Sequence, residues 1–71
     1  MIKSSHKQPA PKPSLLDYLR KRQGLSESAI NLGLRQAESE QAPLPIVLWS
    51  FGLLTLKQYE EVLQWQEINH N

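Results

Sequence analysis

From residue 14 onward the apolar positions fall in short clusters spaced three and four apart, with polar or glycine-containing breaks between them. Spacing of that kind is helical. Leu15, Leu16, Tyr18 and Leu19 form the apolar side of a first helix, with Ser14 as its cap and Gly24 as its stop. Ser26 caps a second, in which Ile30, Gly33, Leu34 and Ala37 share one stripe before the polar run ESEQA. Pro43 or Pro45 opens a short third helix, since proline is tolerated in a first turn, and Gly52 closes it. Thr55 followed by Gln58 has the capping-box pattern and starts a fourth helix from Leu56 to Ile68. IVLW is the one β-prone run, and the prolines before it keep it short. The expected fold is all-α: four short helices at about 14–23, 26–39, 44–51 and 56–68, paired as two helix–turn–helix hairpins around one small core.

A shift of 29 residues sharpens the hairpin picture. It lays Leu19 on Leu48, Leu25 on Leu54, Ser26 on Thr55, Ile30 on Tyr59, and Leu34 on Leu63. Each half therefore reads short helix, tight turn, hydroxyl cap, longer helix, and neither half buries its apolar side alone.

Several apolar residues do not fit the core stripes. In the fourth helix Leu56, Tyr59 and Leu63 share a stripe that should face inward, with Trp65 roughly opposite and Ile68 on neither edge. In the third, Leu44, Val47, Leu48 and Phe51 group together, leaving Ile46 and Trp49 on another side. Leu32 is displaced in the same way from Ile30, Leu34 and Ala37. Trp65 has two readings. It either lies flat over the hairpin edge or joins Ile68, Trp49, Ile46 and Leu32 in an apolar patch that takes a protein partner or a second copy as a homodimer.

Composition and charge narrow the class. Residues 1–13, MIKSSHKQPAPKP, hold three prolines and three lysines and little to bury, which reads as a disordered basic arm ahead of a single helical domain at 14–71. The length allows one domain. No apolar run approaches a membrane span, and the N-terminal lysines lack the apolar stretch of a secretory signal, so a cytoplasmic protein is expected. Residues 1–24 carry six cationic side chains against Asp17, whereas residues 25–71 carry six glutamates against Arg35 and Lys57. The result is a charge dipole suited to oriented docking.

Catalytic chemistry finds no support. Cysteine is absent, His6 and His70 sit near opposite termini, and the adjacent Glu60 and Glu61 point about 100° apart on a helix. No phosphate loop, metal-ligand cluster or nucleophile elbow is present. The expectation is a non-enzyme with no cofactor and no metal. Arg20, Lys21 and Arg22 complement a helix C-terminus and offer a docking point for an acidic protein. Direct nucleic-acid contact is disfavoured, because Tyr18 is the lone aromatic beside them.

Two family resemblances bear on function. PLPIVLWSFGLLTLKQYEEVLQWQ resembles the tandem motif in the N-terminal module of type II secretion and type IV pilus ATPases. Leu48, Gly52, Tyr59, Val62, Leu63 and Gln66 stand at its corresponding places, and Leu19, Ile30 and Leu34 do so in the first half. In some of those ATPases the module binds cyclic di-GMP through an arginine and a close-approach glycine. Here Ser14 and Leu16, and then Pro43 and Pro45, occupy those places, while Gln23 replaces a later glycine and Ala37 a glutamine. The resemblance implies the fold and, as a second functional reading, a degenerate module that senses a cyclic dinucleotide or assembles a pilus or secretion ATPase. The order LLDYL…LSESAI…LP…GLLTLKQYEEVLQWQ is similar to a family of small cyanobacterial proteins that bind and inhibit the endoribonuclease RNase E. That likeness implies a regulator of RNA degradation acting by protein binding.

Overall fold

Four helices follow one another in the computed structural model, which describes residues 11–69: α1 (Pro13–Lys21), α2 (Glu27–Glu40), α3 (Leu44–Ser50) and α4 (Leu56–Ile68). The fold is all-α, and no strand occurs among the described residues. Residues 1–10 of the arm expected at 1–13, with His6, lie outside them, as does the C-terminal His70, and Pro13 of that span belongs to α1. The helix boundaries fall within a few residues of those expected.

Local chemistry accounts for most ends. Ser26 accepts a hydrogen bond from the Ala29 N–H at 3.1 Å and so starts α2. At α4 the Thr55 hydroxyl accepts from the Gln58 N–H at 3.1 Å, and the Thr55 N–H donates to Gln58 Oε1 at 2.9 Å, which completes the capping box. α1 departs from the expectation. Its cap is Lys12, with no side-chain bond, and Pro13 opens the helix, so Ser14 lies inside the first turn. The fixed φ of proline serves that position without a hydroxyl. The two turns after α1 and α3 need a left-handed residue, supplied by Gly24 at φ 71° and Gly52 at φ 77°.

The 29-residue repeat is present in the backbone. Arg22 N–H donates to Tyr18 O at 2.8 Å, and Phe51 N–H to Val47 O at 3.0 Å. Leu25 N–H reaches back to Leu19 O at 3.0 Å, as Leu54 N–H does to Leu48 O at 3.2 Å. Ile30 N–H bonds Ser26 O, as Tyr59 N–H bonds Thr55 O. Each pair is offset by 29, so the two turns and both following helix starts are built alike.

The core joins Leu15 and Leu19 of α1, Ile30 and Ala37 of α2, Leu44, Val47 and Leu48 of α3, Leu54, and Val62 of α4. Helix α3 packs against both α2 and α4. Its approach to α2 is close because Gly33 has no side chain: a Cβ there would stand 2.5 Å from Leu48 Cδ2 and 3.1 Å from Leu44 Cδ1. The tight seam between α2 and α3 thus depends on one hydrogen atom in place of a methyl group.

Three core expectations are corrected. Phe51, Leu56 and Leu63 are exposed, at 46%, 54% and 43%. Val62 is instead the buried residue of α4, with Gln58, Tyr59, Trp65 and Gln66 half-buried beside it. An apolar stripe on a single helix does not reveal which side meets the core when Val62 and Trp65 extend the apolar surface around the helix beyond Tyr59. The repeat carries that information: Ile30, Gly33 and Ala37, the inner side of α2, map by 29 residues onto Tyr59, Val62 and Gln66. Phe51 is outside because α3 ends at Ser50 and the chain turns before a further helical turn forms.

Candidate functional site

Helix α4 is held between two aromatic stacks. On one flank the Trp65 indole lies on the Tyr18 ring of α1, with centroids 4.6 Å apart and planes 17° from parallel. On the other the Tyr59 ring lies on Trp49 of α3, at 5.0 Å and 8°. Tyr59 and Trp65 each stand about 60° around the helix from Val62, which is fully buried between them. The residues that would make an exposed aromatic cluster are therefore partly used as packing. Trp65 is half-buried against the core, whereas Trp49 keeps 39% of its surface in water.

The other residues singled out by pattern go to separate places. Ile46 and Trp49, one turn apart on α3, are both exposed on its outward side. Leu32 is half-buried on α2. Ile68 is exposed at the end of α4, about half a turn around the helix from Tyr59. Arg20 is engaged: its guanidinium bonds Asp17 at 3.1 Å and pairs with Glu27 of α2. The bond to Glu27 holds its pKa above the ordinary arginine value against an opposing desolvation, with the charges of Glu27 and Asp17 adding to the rise. Lys21 and Arg22 are exposed at the end of α1.

Two leucines missed as surface residues complete a different arrangement. Leu56, Glu60, Leu63 and Glu67 follow at i, i+4, i+7 and i+11, a narrow stripe on the outer side of α4, and all four are exposed. Tyr59 borders that stripe and carries Trp49 on its ring. An apolar strip therefore runs from Ile46 and Trp49 across Tyr59 to Leu56 and Leu63, with Glu60 between the two leucines and Glu67 beyond Leu63. The sequence signal was the i, i+3, i+7 stripe itself, read with the wrong side inward.

The turn between α1 and α2 is tied to α4 by polar contacts. Gln23 Nε2 donates to Tyr18 Oη at 2.8 Å and to Glu61 Oε1 at 3.1 Å, and Gln58 Nε2 donates to the Gln23 carbonyl at 3.4 Å. These bonds occupy one side of α4 and leave the stripe of Leu56 and Leu63 to solvent. Among the described residues no group of three His, Asp or Glu side chains is placed to hold a metal ion, and no helix is long and apolar enough to cross a membrane.

The family model described as "Protein of unknown function (DUF2949)" matches residues 12–67. The chain belongs to this family. The matched span runs from the α1 cap Lys12 through all four helices except Ile68, the last residue of α4, and so includes both aromatic stacks and the outer stripe of α4. No curated protein and no solved structure gives a match.

Proposed function

We propose that this member of the DUF2949 family is a small non-enzymatic, cytoplasmic regulator that works by binding a protein, and that its partner is RNase E, whose RNA cleavage it reduces. The observation that carries the binding role is the amount of large apolar side chain left in water by so small a chain. Ile46, Trp49, Phe51, Leu56, Leu63 and Ile68 are each at least 39% exposed. Four of them, Ile46, Trp49, Leu56 and Leu63, lie on the strip that crosses Tyr59, and apolar surface of this kind is uncommon on small monomers unless it meets a partner. Support for the identity of the partner is the similarity of the helical region to small RNase E inhibitors.

The test is a pull-down of RNase E with the full chain, followed by cleavage of a defined RNA with and without saturating protein. Co-purification and slower cleavage are expected. Unchanged cleavage at saturation refutes the proposal.

A further inference from the structure

We infer that the docking surface is the outer side of the α3–α4 hairpin, centred on Trp49, Leu56 and Leu63, and that it takes a cationic protein surface of the type that otherwise holds RNA phosphates. This rests on the RNase E reading and names the face and the mode of inhibition. Two observations carry it. The first is shape: the Trp49–Tyr59 stack fixes a flat aromatic platform beside two exposed leucines, so the apolar strip is preorganised rather than assembled on contact. The second is charge. Along α4 three glutamates, Glu60, Glu61 and Glu67, stand against Lys57 alone, and Glu60 and Glu67 lie on the same stripe as the leucines.

That charge discriminates among occupants. A second copy seated on this face would bring four glutamates together, Glu60 and Glu67 of each α4, and like charges across an interface are costly. RNA is repelled by the same carboxylates. A surface that binds RNA must itself be basic, and it complements carboxylates interleaved with apolar side chains. Inhibition then follows from occupancy: the glutamates take positions that RNA phosphates would use.

The experiment measures the affinity of the full chain for RNase E by calorimetry at two salt concentrations, with RNA competition. Wild-type binding should weaken as salt rises and be displaced by single-stranded RNA. L56E/L63E should weaken binding at least about tenfold, since a few desolvated anchors carry most of the energy of an interface and a carboxylate at their place must be desolvated. E60K should weaken it several-fold at low salt and flatten the salt dependence. R35E, on α2, should bind as wild type. All four residues are exposed, so helical circular dichroism should not change. Wild-type binding that persists in L56E/L63E, or that RNA does not displace, overturns the face while leaving the RNase E reading intact. Absence of any wild-type binding overturns both. A dimer in sedimentation that L56E/L63E dissociates assigns the face to a second copy and also overturns the inference.

Discussion

The ring of Tyr18 and the indole of Trp65 stack at 4.6 Å, joining the first helix to the last. Tyr18 is also held from its hydroxyl, which accepts from Gln23 Nε2 at 2.8 Å. Stacking, apolar burial and a hydrogen-bonded turn therefore meet at one contact between elements far apart in sequence. An aromatic pair adds roughly 0.5–1.5 kcal/mol beyond the area it buries.

Trp65→Ala should destabilise the chain by about 3 kcal/mol, because it removes the stack and part of the core packing together. In a chain this small that is a large share of the total stability. Urea denaturation followed by far-ultraviolet circular dichroism measures it. Trp65→Phe should recover more than half of the loss. A Trp65→Ala midpoint equal to wild type would place Trp65 outside the packing.

Val62 and Leu63 are neighbours with opposite expectations. Val62 is fully buried and Leu63 is 43% exposed. Val62→Ala should cost about 2 kcal/mol through lost contacts and a residual cavity. Leu63→Ala should stay within about 0.5 kcal/mol of wild type, as surface substitutions do. Paired denaturation curves check the rotation of α4, and reversed magnitudes would mean that Leu63 faces inward.

Helix α2 ends at Gln41 with φ 56° and ψ 41°, a left-handed conformation in a residue that carries a Cβ. The Ala42 N–H closes the cap by bonding Ala37 O at 3.0 Å. Glycine at such a cap avoids the left-handed penalty, which exceeds its greater unfolded-state entropy. Gln41→Gly should raise stability by about 0.5–1 kcal/mol. A rise of a few degrees in thermal midpoint is the expected result, and a fall would show that the Gln41 side chain contributes more than its backbone costs.

Cyclic di-GMP should give no heat in calorimetry at micromolar protein. The arginine places of the secretion-ATPase motif hold Ser14, in the first turn of α1, and Pro43, which caps α3. Neither provides a guanidinium to stack on or pair with a guanine. Saturable micromolar binding would revive the dinucleotide-sensing reading.

Caps, turns and the number of helices were legible in the residues because they are local. Ser26, Thr55 with Gln58, Gly24 and Gly52 each act within a few positions of themselves, and each stands in the structure as its chemistry requires. Ser14 failed because Pro13 offered an equally local alternative one residue earlier. The candidate surface was half legible. Ile46 and Trp49 fall off the α3 core stripe in the sequence and are exposed, whereas the pattern puts Leu56 and Leu63 in the core and the structure exposes them.

What the sequence alone determined is the repeated hairpin: 29-residue periodicity, hydroxyl caps and glycine turns specify where each helix begins and that four form. Only the tertiary structure decided which side of α4 turns inward. That helix carries apolar residues on both sides, so its own periodicity is nearly balanced and the choice passes to its neighbours. Tyr18 and Trp49 take Trp65 and Tyr59 as stacking partners, Val62 is drawn between them, and Leu56 and Leu63 are left facing water.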